Sequence, residues 1–376
     1  MKKAFLGLVI FCSSFINAQD SCSTQISLLT CTPGEELYST FGHSAFRVWD
    51  AATQTDIIFN YGTFDFYDPD FYKKFTLGKL LYFVSVDSLA GFLAEYEYYK
   101  RGVTEQVLDL DCNVKKKLVA ALFENAKEEN KYYLYDFTYD NCTTRLRDML
   151  EQALGKPLET KNILPASHTS FRHLIHEYLH KGKQYWSKLG IDILLGSPLD
   201  RKITNREAQF LPDYLMMGFD NTVIGNKPLV TEKKSLLPEG IQKGKASFFT
   251  PMVVFGILLL LILALSFFVP HSTFLKAFDV FFFFICGLLG LLIVFMWFGT
   301  NHVMARENYN LLWALPTHLP MALMLFTRKA WVKAYYRFIF FYSIALLAAW
   351  FVLPQQFNMA LLPVLGIIMT RSFFIS

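Results

Sequence analysis

One cysteine of this sequence lies where a thiol nucleophile is expected. Cys142 belongs to the run Asp140-Asn141-Cys142-Thr143-Thr144, and the residues that follow have helical periodicity as far as Gly155, which is placed to end the helix. Asp140 or Asn141 is therefore predicted at the N-cap, with Cys142 in the first turn. Unpaired N–H groups and the positive end of the helix dipole favour a thiolate there, which predicts a lowered thiol pKa. The alternative interpretation is a capped helix with an incidental, inert cysteine.

A thiolate of this kind usually works with an imidazole, and His43 is the best-placed candidate for that base. It lies between two small residues at the start of a predicted strand, where its ring is accessible and rigidly held. A purely structural role for the ring is the alternative. Asn60, at the end of the partner strand, is the preferred third group to orient the ring, ahead of Asp50 and Asp140.

Both strands and helices are needed to position Cys142, His43 and Asn60. Residues 44–49 and 55–61 are β-prone runs around a polar turn, which predicts a hairpin that carries His43 and Asn60. Three further elements are predicted before Cys142: a helix capped by Asp87 or Ser88 and reaching residue 99, a strand over 103–110, and a helix from 113 towards 129. The soluble part of the chain is therefore predicted to be α+β.

The composition divides the 376-residue chain into two parts. It is 53% hydrophobic and only 18% charged, and residues 249–376 contain just nine Asp, Glu, Lys or Arg residues. A cytosolic globular enzyme and a disordered tail are excluded by this distribution. The net charge of +4 comes from scattered Lys and Arg, so no nucleic-acid partner is expected. The remaining interpretation is a soluble domain joined to a membrane domain.

The N-terminus predicts export. Lys2 and Lys3 precede a short apolar run, and Ala18 is a suitable small residue for signal peptidase. The expected organisation is a signal peptide over 1–18, an exported domain over 19–236, a linker over 237–248 and a membrane domain over 249–376.

Four or five membrane helices are expected in the tail, arranged so that the exported domain and the loop over 300–308 lie on the same side. The predicted spans are 249–269, 277–298, a weaker one over 309–326 interrupted by two prolines, 334–353, and a short fifth over 359–370. The basic turns around Lys276 and over 328–337 are then cytoplasmic, as the positive-inside rule requires.

Five cysteines remain after the predicted leader: Cys22, Cys31, Cys112, Cys142 and Cys286. The number is odd and no pair has metal-ligand spacing, so at least one exported thiol lacks an obvious structural partner in an oxidising compartment. Whether Cys22 pairs with Cys31 or with Cys112 is left open.

Two further groups of residues suit a lipid substrate. A polar loop on the predicted catalytic side of the membrane either binds a substrate head group or is a solvated connection; it contains Asn301, His302, Arg306, Glu307, Asn308 and Asn310. An aromatic run either lines an acyl groove or dips into the membrane interface, or is simply packing; it contains Phe64, Phe66, Tyr67, Phe71, Tyr72, Phe75, Tyr82 and Phe83.

A short motif favours a different chemistry. The run His176-Glu177-Tyr178-Leu179-His180 spells the H-E-x-x-H pattern of zinc metalloproteases on a plausible helix that also holds His173. Glu207 is only a loose candidate for a third ligand. The match covers five residues and has a high false-positive rate, so no metal or other cofactor is expected.

Three ordered motifs resemble the lipoprotein N-acyltransferases of Bacteroidota. They are Gly34 to Ala45 (GEELYSTFGHSA), Phe59 to Gly62 (FNYG) and Tyr139 to Arg145 (YDNCTTR); the tail adds Asn301-His302 and Asn308 to Trp313 (NYNLLW). The exported domain of that family is similar to permuted papain-like folds of the NlpC type, which include lecithin:retinol acyltransferases and in which His precedes Cys. The resemblance implies Cys142 as nucleophile and His43 as base, and it leaves the third residue open.

This resemblance implies an enzyme of the inner, cytoplasmic membrane, multi-pass, with a periplasmic catalytic domain. Its expected partners are a phospholipid acyl donor and a diacylated lipoprotein that accepts the acyl chain on its N-terminal amine, through a Cys142 thioester. The alternatives are a membrane-tethered papain-like cell-wall peptidase or amidase, the zinc metalloprotease, and a catalytically silent domain that only binds lipoproteins.

Overall fold

The computed structural model describes residues 22–240, 247–327 and 329–376. The predicted signal peptide over 1–18 lies outside these residues, as does part of the predicted linker. The described chain is an α+β, sheet-rich domain followed by a helical membrane domain.

A seven-stranded antiparallel sheet organises the first domain. Its spatial order is β6-β4-β3-β2-β1-β5-β9. The strands are β1 Thr24–Cys31, β2 His43–Asp50, β3 Thr55–Thr63, β4 Leu81–Ser88, β5 Val103–Leu108, β6 Tyr132–Leu134 and β9 Val230–Leu237, and a separate small hairpin holds β7 Val223–Ile224 and β8 Lys227–Pro228. The predicted hairpin is β2 and β3, so His43 begins one central strand and Asn60 lies on its neighbour.

Both faces of the sheet are covered, because side chains alternate along each strand. Leu28, Phe46 and Phe59 belong to the core under the helices that follow β5 and β6. Leu29 and Ala45, one position away in each strand, pack instead under the helix that follows β4. The helices of this domain are α1 Phe71–Thr76, α2 Leu89–Tyr98, α3 Cys112–Asn125, α4 Cys142–Leu154, α5 Phe171–Lys181, α6 Tyr185–Leu194, α7 Asn205–Ala208 and α8 Pro212–Asp220.

The predicted elements before Cys142 are confirmed, with shifted ends. Ser88, rather than Asp87, caps α2, and its side chain accepts from the N–H of Gly91. Helix α3 begins at Cys112 behind Asp111 and ends at Asn125, four residues before the predicted limit, where a turn leads into β6.

The cysteine contacts distinguish the two disulfide pairings left open by the sequence. The Cys22 thiol forms a hydrogen bond with that of Cys112, and this lowers the pKa of Cys22. Cys31 is buried under α2 beside Tyr96. Proximity therefore favours Cys112 over Cys31 as the neighbour of Cys22.

Three helices in the described residues are long and apolar enough to span a membrane, fewer than the four or five expected. The membrane-domain helices are α9 Pro251–Phe268, α10 Thr273–Gly299, α11 His318–Leu323, α12 Ala330–Ala349 and α13 Leu361–Ile375. The expected span over 309–326 is instead two 3₁₀ turns around the short α11, because Pro316 and Pro320 provide no N–H for a continuous helix. The last helix, α13, is about 22 Å long at 1.5 Å per residue, shorter than a typical bilayer core.

The membrane domain docks on the sheet domain through a buried carboxylate. Asp192 of α6 accepts from Arg172 Nη1 at 2.7 Å and from Asn358 Nδ2, in the loop before α13, at 2.8 Å. His176 Nε2 is also 2.7 Å from Asp192 Oδ1. Trp186 of α6 donates to the Phe249 carbonyl just before α9 at 2.9 Å. These contacts place the start of α9 and the loop before α13 on the side of the sheet domain, as the expected topology requires.

An ion pair ties three membrane helices together. Arg371 of α13 donates to both oxygens of Asp279 of α10, at 2.6 and 2.8 Å, and to Ser266 Oγ of α9 at 2.6 Å. Both charged side chains are buried. A buried charge is costly without its partner, so the pair couples the short α13 to α10, and the bond to Ser266 adds α9.

We expect Arg371→Leu to destabilise the membrane domain by about 3–5 kcal/mol, because Asp279 is left buried and unpaired. The double variant Asp279→Leu/Arg371→Leu should recover most of that loss. The measurement is thermal unfolding of the detergent-solubilised protein, with Arg337→Leu, which removes an exposed arginine of α12, as the matched control. A double variant as unstable as the single one would contradict this role for the pair.

Candidate active site

The start of α4 is fixed by a capping box around Asn141. Asn141 Oδ1 accepts from the N–H groups of Thr143 and Thr144 at 2.9 and 3.0 Å, and Thr144 Oγ1 accepts from the Asn141 N–H at 2.8 Å. The cap is therefore Asn141, the second of the two predicted candidates, and Asp140 forms an ion pair with Arg145. Gly155 ends the helix in the left-handed region, as predicted. Cys142 is consequently the first residue of α4.

The nitrogen of the Asn141 side-chain amide binds two carbonyl groups, one nearby and one far away in the sequence. Its Nδ2 donates to the Phe137 carbonyl at 2.7 Å and to the Phe210 carbonyl, before α8, at 2.8 Å. Helix α4 packs on β2 and β3, the strands of His43 and Asn60. The sequence-distant cysteine is thereby brought to the hairpin.

The His43 ring is held by Asn60. His43 Nε2 lies 2.5 Å from Asn60 Oδ1. An amide oxygen only accepts, so Nε2 carries the proton and donates, which leaves the lone pair of the imidazole on Nδ1. The predicted base and its predicted orienting group are therefore in contact, with the tautomer that a base requires.

Gly62 lies between the Cys142 side chain and the His43 ring. A Cβ placed on Gly62, whose φ is +91°, would lie 3.5 Å from Cys142 Cβ and 4.0 Å from His43 Cε1. Both side chains therefore border one small space, which only a glycine leaves open. The backbone N–H of Ser44, next to His43, also hydrogen-bonds the Cys142 sulfur.

Burial decides the protonation of both groups. It raises the pKa of the Cys142 thiol to about 11, against the opposing effect of the N–H groups of Ser44, Thr143 and Cys142 itself. It lowers the pKa of His43 to about 4, against the hydrogen bond to Asn60. At neutral pH the site therefore contains a neutral thiol and a neutral imidazole. The expected thiol pKa below its usual value is not found, because desolvation outweighs the helix start.

Arg101 is a site residue that the sequence did not reveal. Its positive charge lowers the pKa of both Cys142 and His43. Nε donates to the Thr32 carbonyl at 2.8 Å, and the guanidinium lies 4.7 Å from the centre of the Tyr96 ring. Its Nη2 is buried and has no hydrogen-bond partner within the residues described. A single arginine after a helix carries no sequence signal, and only the fold lets its charge act on the thiol and the ring.

The five predicted substrate-binding residues all lie where the membrane domain meets the sheet domain. The Asn301 N–H donates to the Leu77 carbonyl at 2.9 Å, and His302 Nε2 donates to the Phe75 carbonyl at 3.0 Å. The Glu307 carbonyl accepts from the Ser197 N–H at 3.1 Å.

Asn308 and Asn310 are buried and donate to the end of α6. Asn308 Nδ2 donates to the Ile193 carbonyl and Asn310 Nδ2 to the Asp192 carbonyl, each at 2.8 Å. These bonds join the two domains, and substrate binding by any of the five residues stays a prediction.

The H-E-x-x-H residues are engaged in separate contacts. His176 bonds to Asp192, and Glu177 accepts from Lys181 at 2.7 Å and from the Tyr214 hydroxyl at 3.0 Å. His180 Nε2 lies 3.2 Å from Lys188 Nζ. No group of three His, Cys, Asp or Glu side chains in the described ranges could hold a metal ion. The geometry therefore gives no support to the zinc interpretation. Glu207 instead accepts from the N–H of Thr204, the N-cap of α7, and pairs with Arg201.

Two family models match the chain, one after the other. Residues 13–177 match the model described as the Lnb N-terminal periplasmic domain, and residues 243–376 match the one described as the Lnb transmembrane domain. No curated protein and no solved structure matches the chain. The first match contains His43, Asn60 and Cys142, and the pair confirms the resemblance seen in the motifs. The chain, a multi-pass membrane protein with a periplasmic domain, belongs to the Lnb family.

Proposed function

We propose that this protein is a lipoprotein N-acyltransferase of the inner membrane that moves an acyl chain from a phospholipid to the N-terminal amine of a diacylated lipoprotein. The observation that carries the proposal is the space beside Gly62, which the Cys142 thiol and the His43 ring border together. The lone pair on His43 Nδ1 supplies the base that a neutral thiol needs. The attached membrane domain supplies the location of both substrates.

The first half-reaction forms a thioester. His43 Nδ1 takes the Cys142 proton as the sulfur attacks the ester carbonyl of the donor, and the S–C bond forms while the carbonyl oxygen becomes an oxyanion. Collapse breaks the ester C–O bond, and the leaving oxygen receives the proton from His43, which releases a lysophospholipid. The N–H groups of Ser44, Thr143 and Cys142, which hydrogen-bond the sulfur, are the nearest backbone donors for the oxyanion.

The second half-reaction returns the enzyme to its starting state. The α-amino group of the lipoprotein attacks the thioester carbonyl, and His43 accepts the proton that the amine loses. The C–S bond breaks, the sulfur regains its proton, and an amide remains on the lipoprotein. No ATP or acyl-coenzyme A is consumed, which suits a compartment that does not supply them.

We also propose that the sheet domain is a permuted papain-like fold. The support is the order of its parts: a histidine at the start of one strand, an asparagine on the next strand, and a later cysteine at the start of a helix packed on both. The organisation proposed with it keeps the expected bounds, a signal peptide over 1–18, a catalytic domain over 19–236, a linker over 237–248 and a membrane domain over 249–376. A cell-wall peptidase would use the same three side chains, so the identity of the acylated product separates the two functions.

We expect Cys142→Ser and His43→Ala each to abolish lipoprotein N-acylation, because one lacks the nucleophile and the other the base. The measurement is the mass of lipoprotein N-terminal peptides from cells that depend on this protein for acylation. Cys22→Ser and Glu177→Gln are the controls and should retain acylation, the first because it removes a different thiol and the second because it alters only the zinc motif. Full acylation with Cys142→Ser would refute the mechanism, and loss with Glu177→Gln would favour the metalloprotease.

The Cys142 pKa of about 11 predicts a steep pH dependence of its alkylation. Below that pKa the thiolate fraction rises about tenfold per pH unit, so the iodoacetamide rate should rise in the same proportion between pH 7 and pH 9. The measurement is the modified fraction of the Cys142 peptide by mass spectrometry. A rate that is already constant across this range would instead show a preformed thiolate–imidazolium pair.

Asn60→Asp should raise the pKa of His43, because a carboxylate next to the ring stabilises its protonated form. Acyl transfer requires the neutral ring, so the acid limb of the pH–rate profile should move upwards from about pH 4. Asn60→Ala should slow transfer by about ten- to a hundredfold, because the ring loses its orientation and its fixed tautomer. An unchanged profile in Asn60→Asp would show that Asn60 does not act on His43.

A further inference from the structure

An exposed aromatic surface lies between β3 and β4. We call residues 64–75 the aromatic segment; it includes all of α1 except its last residue. Four of its rings are largely open to solvent: Phe66 is 62% exposed, Tyr67 94%, Tyr72 83% and Phe75 52%. A domain surrounded only by water rarely exposes such a contiguous group of large apolar side chains.

Contacts with the membrane domain fix the depth of the aromatic segment relative to the bilayer. Helix α10 ends at Gly299, and two residues later the Asn301 N–H donates to the Leu77 carbonyl, directly after α1. His302 Nε2 donates to the Phe75 carbonyl, the last turn of α1. Because α10 is a 27-residue span whose end leads into these contacts, α1 lies at the periplasmic boundary of the bilayer. Aromatic side chains concentrate at that boundary in membrane proteins.

A chain of ring contacts leads from the segment to Tyr135, seven residues before Cys142 in the chain. Phe64 contacts Phe66 and Phe71, with ring centres 4.5 and 5.9 Å apart, and it lies 5.1 Å from Tyr82 of β4. Tyr82 stacks on Tyr135 with ring centres 4.2 Å apart. Tyr82 and Tyr135 pack, with Cys142, against the same hydrophobic core. The ring contacts therefore run from α1 to Tyr135, and the Cys142 charge is among the effects that raise the pKa of Tyr135.

We propose that the aromatic segment inserts into the periplasmic surface of the bilayer and forms the mouth through which a phospholipid acyl chain reaches Cys142. The partner of this aromatic surface is the lipid bilayer itself, because the exposed rings lie directly beside the contact between α1 and the end of α10. Asp65, Asp68 and Asp70 in the same segment keep the insertion at head-group depth, since carboxylates do not enter the hydrocarbon. The delivery role rests on the proposed acyltransferase function, whereas the insertion itself does not.

Photo-cross-linking tests the insertion without requiring catalysis. A benzophenone amino acid replaces Tyr72 in the full chain carrying Cys142→Ser, reconstituted in vesicles of phosphatidylethanolamine and phosphatidylglycerol. The control replaces Thr53, which is exposed in the turn at the opposite end of β2 and β3 from His43. We expect a phospholipid adduct by mass spectrometry at position 72 and none at 53. Absence of an adduct at 72, or equal adducts at both positions, would overturn the proposal.

A charged double variant tests the delivery role. Tyr67→Glu/Tyr72→Glu changes two exposed side chains, so folding should be preserved, and acyl transfer from vesicles should fall at least about tenfold. Alkylation of Cys142 by iodoacetamide, a small water-soluble reagent, should be unchanged, and Thr53→Glu should retain full transfer. Unreduced transfer in the double variant would overturn the delivery role. If the unaltered protein itself transfers no acyl chain, the proposed function fails, and the cross-links then decide the insertion alone.

Discussion

The position of the Cys142 sulfur depends on one buried amide. Asn141 uses its oxygen to cap two N–H groups of α4 and its nitrogen to bind carbonyls on either side, at Phe137 and Phe210. Because both the oxygen and the nitrogen of the Asn141 amide are hydrogen-bonded, the start of α4 has a fixed orientation. Since α4 also packs on β2 and β3, the thiol at its first residue lies beside the strands that carry His43 and Asn60. The arrangement of the whole site follows from this constraint.

Two opposing effects act on the pKa of the Cys142 thiol, and the stronger one determines its protonation state. The helix start and the Ser44 N–H favour the thiolate, but desolvation in the closed space beside Gly62 favours the thiol more strongly. A protonated sulfur is less open to oxidation in an oxidising compartment, since the thiolate is the reactive form. In the proposed mechanism its nucleophilicity depends on His43, whose own pKa is held low by burial and which is therefore unprotonated at neutral pH. The site is suited to act when a substrate carbonyl is present beside both groups.

The junction between the two domains gives the site its relation to the membrane. Asp192 gathers Arg172, His176 and Asn358 into one buried cluster, and Asn308 and Asn310 bind the end of the same helix. Buried polar groups with fixed partners permit few alternative arrangements, so this junction holds the sheet domain in one orientation. In that orientation the end of α1, in the connection that follows β3, contacts the residues directly after α10. The H-E-x-x-H sequence, which suggests a metal by its spacing, contributes His176 to this junction instead.

The sequence by itself determined those features that depend on residues close together in the chain. The hairpin of β2 and β3, the capped start of α4, the left-handed Gly155 and the spans α9 and α10 follow from alternation, capping residues and long apolar runs. The motifs also predicted Cys142, His43 and Asn60 as a site, because residue type and position along an element carry that information, and the fold brings the three together. Only the tertiary structure decided what depends on packing: the burial that reverses the expected thiol pKa, the effect of the Arg101 charge on the site, and the use of Asn308 and Asn310 at a domain junction. Desolvation and long-range contacts arise from residues far apart in the chain, so no local pattern of amino acids encodes them.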